Sequence, residues 1–178
     1  MDVRIDGRLL ASNSMSTPGF TFLIDLPVRN HWENVDLMRT SIVNYFTAIF
    51  REMEDAQAFA TVAAELLENA IKYGHWSDPS ETLHLRVWGN DSEARVEVEN
   101  PVDATSDDTR ELIRTIDWLK TFPSAEHAYR AKLLEVATSS AGTSKLGLAR
   151  IAYEGGCALH AEIVGNLLRV TSVAKLAS

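Results

Sequence analysis

The stretch Thr61–Trp76, reading TVAAELLENAIKYGHW, constrains this chain more than any other. Placed on a helix, it separates into two faces. Together with Phe59 before it, Val62, Ala63, Leu66, Leu67, Ala70 and Ile71 recur at i, i+3, i+4 spacing and make one apolar stripe. That stripe has to be buried against a second layer. Thr61, Glu65, Glu68, Asn69 and Lys72 share the opposite side. Glu65 and Asn69 are one turn apart, so a carboxylate and a carboxamide point the same way. Such a pair can order a water or hold a divalent cation, because Mg²⁺ takes oxygen ligands and is usually shared with substrate phosphates. The same face also reads as a solvated surface with a Glu68–Lys72 ion pair, worth a few tenths of a kcal/mol.

The second layer is written in period-two segments. Thr82–Trp88 alternates Leu83, Leu85 and Val87 against His84, Arg86 and Trp88, Gly89-Asn90-Asp91 turns, and Ala94–Glu99 returns with Val96 and Val98 on one face. Phe20–Leu26, stopped by Pro27, reads as an edge strand. Cys157–Val164, Gly165-Asn166 and Leu167–Ala174 make a final hairpin. A helix over Val35–Met53 presents Leu37, Ile42, Tyr45, Phe46 and Ile49 inward, Glu54-Asp55 open the next helix, and Gly74 ends it. Asp78-Pro79 marks a turn, and Asp107–Ala137 carries two helical patterns broken at Phe122-Pro123, with Ser124 capping the second. Val3–Leu10 reads as a strand or an arm, and Ala11–Gly19 as a loop. The pattern predicts one α/β (α+β) domain over residues 1–178: a two-layer sandwich, with helices on one face of a mixed sheet.

Charge narrows the function. A net charge of -8 argues against a general nucleic-acid binder and against docking on an anionic membrane surface. One cysteine, Cys157, cannot form an internal disulfide, and MDVRIDGRLL does not read as a signal peptide, so the expected location is the cytoplasm. No two histidines share metal-ligand spacing.

A second motif lies at Gly142-Thr-Ser-Lys-Leu-Gly-Leu148, followed by ARIAYEGG. A Gly/Ser loop entering a helix N-terminus is a general anion site, since free N–H groups and the helix dipole both favour phosphate. Ser144 caps the helix, Gly147 keeps its face bare, and Gly155-Gly156 end it. Lys145 either adds a charge to a phosphate site or fills the space a phosphate needs.

ELLENAIKYG resembles the N box of the GHKL (Bergerat-fold, histidine-kinase-like) ATPases, and Gly142–Leu148 resembles their second glycine box. The order of elements is similar to that of the anti-sigma-factor branch, and the interval at about 105–140, with its basic Lys120, Arg130 and Lys132, resembles the helical insert of SiaB-type switch kinases. The first glycine box, D-x-G-x-G, is missing: Asn100-Pro101-Val102-Asp103-Ala104 stands there, with Asn100 in place of the adenine-reading Asp. The resemblance implies ATP and Mg²⁺ as cofactors, with Asn69 as metal ligand and Glu65 as the catalytic group. Lys72 or Lys145 would face the phosphates, and Tyr73, Asn100, Ser144, Leu146 and Gly147 would line the nucleotide site. It implies a serine/threonine kinase or sequestering protein of a bacterial partner-switching pathway, whose partner is a small STAS-type anti-sigma antagonist or a similar protein. A homodimer stays open. The alternative is a degenerate GHKL domain that binds protein without catalysis, which the missing glycine box favours. The free-standing catalytic domain of a sensor kinase is a third reading, although His31, followed by Trp-Glu-Asn, does not sit in a phosphoacceptor helix.

Overall fold

The computed structural model describes residues 19–27, 35–49, 53–78, 80–90, 92–138 and 146–176. The expected arm at 3–10, most of the loop after it, His31, Ser144 and Lys145 lie outside the described residues. In chain order the elements are β1 (Phe20–Pro27), α1 (Val35–Ile49), α2 (Met53–Tyr73), β2 (Thr82–Gly89), β3 (Glu93–Pro101), α3 (Asp107–Leu119), α4 (Ala125–Thr138), α5 (Leu146–Glu154), β4 (Cys157–Val164) and β5 (Leu167–Lys175).

The strands form one sheet in the order β1-β2-β3-β5-β4. The expected mixed sheet is corrected here: every pair among the described strands is antiparallel. The reason is the way the final hairpin docks. β3 and β4 run in the same direction, as the helical crossover between them requires, but β5 lies between them and runs against both.

One face of the sheet is apolar. Leu83, Leu85, Val87, Ala94, Val96, Val98, Leu168 and Val170 are buried there with the α2 stripe of Phe59, Val62, Ala63, Leu66 and Leu67. α1 closes the end of this core through Ile42 and Phe46, and Tyr45 stacks on Phe22 of β1 with ring centroids 4.0 Å apart. α2 begins with Glu54 and Asp55, which favour the positive end of the helix dipole. Trp76 stops it by donating from Nε1 to the Ile71 carbonyl at 3.1 Å. α3 starts at Ser106, whose hydroxyl accepts from the Thr109 N–H.

The other face is a charge ladder. Asp25, His84, Glu99, Arg169 and Glu162 are register partners in one row across all five strands. Arg169 joins the row: its Nη2 donates to Glu99 at 2.8 Å, its Nη1 to Glu162 at 2.8 Å, and Glu97 lies 3.8 Å from its Nε. Glu99 is nearly buried beneath it. A carboxylate in that position needs its cation, since burial without one is costly. Arg169→Met therefore lowers stability in urea unfolding by about 1–3 kcal/mol, whereas Glu162→Gln, at the exposed rim, changes it by less than about 0.5 kcal/mol. Equal effects of the two would remove Arg169 from this role.

Cys157, at the start of β4, is buried and its thiol donates to the Ile151 carbonyl at 3.3 Å. Burial pushes the thiol up from 9.0 to about 11. The unfolded chain loses this proton first, so the contribution to stability is present below pH 9 and disappears as pH rises towards about 11. The stability difference between wild type and Cys157→Ala shrinks over that interval. A difference independent of pH would mean the thiol ionises as easily when folded.

Candidate functional site

The C-terminal half of α2 meets the end of β3 because the backbone ties them: the His75 N–H donates to the Pro101 carbonyl at 2.8 Å. This link brings Asn69 and Tyr73 of α2 beside Asn100 of β3, with Leu112 of α3 and Leu148 of α5 closing over them. The space enclosed is about 10 Å³, room for at most a single water. Asn100 is 2% exposed and donates from Nδ2 to the Pro101 carbonyl at 3.0 Å, which fixes its carboxamide. Asn100 and Pro101 are the last residues of β3 and pair with Leu168 and Leu167.

Asn69 lines the same space, and its Nδ2 is buried with no hydrogen-bond partner. An unmet buried donor costs about 1–3 kcal/mol. It is retained on a helix face where a solvated surface was the simpler expectation.

Glu65, one turn earlier, does not line this space. Its carboxylate is 15% exposed and accepts a hydrogen bond from Arg150 Nη2 of α5 at 2.6 Å. Gly147, at the start of α5, presents no side chain there, and a Cβ at that position would overlap the Glu65 carboxylate. The bare helix face expected of Gly147 is thus used by a carboxylate of the same chain.

The remaining candidates separate. Lys72 is exposed and its ammonium sits 5.0 Å above the Tyr73 ring. It does not pair with Glu68 as expected, because Glu68 is taken by Arg39 of α1. Leu146 is half-buried at the first position of α5. The basic character expected of α3 and α4 is neutralised locally: Lys120 pairs with Asp117, Arg130 with Glu126, and Lys132 with Glu135.

Arg150 was not singled out from the sequence. A signal was present: it is the sole cation of α5, at the centre of an otherwise largely apolar helix. Leu112 reads only as helix periodicity, and Leu148 only as the end of the Gly142–Leu148 motif. Chemically, the site offers a carboxylate held by a guanidinium and, one turn on, a carboxamide suited to a hard cation or an anionic oxygen.

Gly147→Ala drives a methyl group into the Glu65 carboxylate and displaces it from Arg150. The carboxylate is the free end of a flexible side chain and alanine favours the helix, so stability changes by less than about 1 kcal/mol while the Glu65–Arg150 pair is lost. An intact Glu65–Arg150 pair in a crystal structure of the variant would contradict the close approach of α5 to Glu65.

No protein-family model matches this sequence, and no curated protein does. A chain in the crystal structure of the SiaB–SiaC complex from Pseudomonas aeruginosa has a similar fold, with a TM-score of 0.60 and 20% sequence identity. The match covers 88% of this chain and 89% of that one, so the likeness extends over nearly the whole of both.

Proposed function

We propose that this chain is an ATP-binding regulatory protein of the GHKL, anti-sigma-factor type, which phosphorylates or sequesters a small protein partner. The observation that carries this reading is Asn69, which lines the space shared with Asn100 and whose Nδ2 is buried with no hydrogen-bond partner. Support comes from the N-box spacing of Glu65 and Asn69 and from a fold like that of a chain in a complex named for two proteins. By that analogy the partner is a small protein.

With the space opened, Asn69 would hold the metal of Mg·ATP, and the Asn100 oxygen, with Nδ2 committed to Pro101, would accept from the adenine amino group. Tyr73, Leu112 and Leu148 would pack against the base. The bound nucleotide would supply the phosphoryl group. Glu65, once free of Arg150, takes the proton of a Ser or Thr hydroxyl on the partner. Most of the rate comes from positioning and charge neutralisation.

A second reading rests on the closure itself. About 10 Å³ admits no nucleotide, and Glu65 is occupied. A domain fixed in this form works through protein contacts alone.

Calorimetry separates the two. On the first reading the chain binds Mg·ATP, and Asn69→Ala loses the Mg²⁺-dependent part while keeping its melting temperature. Glu65→Gln keeps affinity and lowers transfer to a co-purified partner by about two orders of magnitude. No binding by the wild type, with or without Mg²⁺, favours the second.

A further inference from the structure

We infer that Arg150 is a positioning residue that latches α5 onto α2, so that the Asn69 space and the Glu65 carboxylate are closed by one contact and open together. Three observations place it there. Arg150 Nη2 reaches Glu65 across a long sequence separation, from α5 to α2. Its Nε is buried and without a hydrogen bond, with Glu154 of its own helix 3.9 Å away, although the side chain as a whole is 40% exposed. The guanidinium thus holds Glu65 through one end while another of its donors stays unmet, and the pair lies within reach of solvent.

The second link is spatial. α5 carries Gly147 against Glu65, Leu148 over Asn69 and Asn100, and Arg150 on Glu65 within four residues. Asn69 is one turn of α2 beyond Glu65. Lifting the first turn of α5 removes Leu148 from the closed space in the same movement that breaks the ion pair. α5 is short, nine residues, and among the described elements it packs on α2, α3, α4 and the strand that follows it. Tyr153 supplies the α4 attachment by stacking on Tyr129, with centroids 5.2 Å apart, and lies one turn beyond the latch. The hinge is thus the Tyr153 end and the moving end is Leu146–Arg150.

The latch itself is a property of the folded chain. Its use in admitting nucleotide rests on the function proposed above. Both are tested on the full chain with Arg150→Gln, which keeps length and removes charge, beside Glu65→Gln and the double variant. Amide hydrogen exchange reads the latch without any ligand. Arg150→Gln and Glu65→Gln each speed exchange at Leu148–Ile151 by about tenfold or more, and the double variant adds little further. Unchanged exchange, or effects of the two that simply add, overturns the latch. Calorimetry with Mg·ATP reads its use: Arg150→Gln binds several-fold more tightly than wild type, because the closed form no longer competes. Equal or weaker binding overturns the coupling between latch and pocket. Faster exchange with no ATP binding by either protein sinks the nucleotide reading and leaves Arg150 as a clamp between two helices.

Discussion

Burial of the α2 stripe is the constraint on which the rest of the structure depends. Phe59, Val62, Ala63, Leu66 and Leu67 can leave water only against the apolar face of β2, β3 and β5. Once they do, Glu65 and Asn69 are carried to the edge of that contact, neither fully inside nor fully solvated. A face of this kind is held by whatever closes over it. Here that is α5, which brings a glycine where a carboxylate must pass and an arginine where it must be neutralised.

The two layers of the sandwich divide the electrostatic work. The open face of the sheet balances its own charges in rows, with Arg169 gathering three carboxylates. The helical side leaves one polar atom unmet at Asn69 and one at Arg150. Unmet buried groups are rare in folded proteins because water would otherwise satisfy them. Their position at one helix–helix contact, beside a space too small for any ligand, ties the closed form to a particular pair of elements. The fold is therefore stable where it is solvated and strained in its hydrogen bonding where it is closed.

Much of this was legible in the sequence. The alternation in Thr82–Glu99, the turn at Gly165-Asn166 and the stripe on α2 locate the elements to within a few residues, since each is a local pattern with a local cause. Glu65, Asn69 and Asn100 were singled out through spacing and through a resemblance; the structure puts Asn69 and Asn100 on one space and Glu65 against Arg150. What stayed hidden is relational. Nothing local says that β5 inserts between β3 and β4, that Arg39 takes Glu68 from Lys72, or that Arg150 reaches back to Glu65. Lys120, Arg130 and Lys132 are a different case, since each pairs with an acidic neighbour three or four residues away, a local pattern already present in the sequence.

The central claim is that the space between Asn69 and Asn100 opens to hold Mg·ATP. Backbone amide shifts recorded by NMR during titration with Mg·ATP test it most directly. The account predicts large changes at Asn69, Tyr73, Asn100, Leu112 and Leu148, with the open-face residues Arg95, Glu97 and Thr171 unmoved. No shifts at millimolar nucleotide, or shifts confined to the charged face of the sheet, would contradict it.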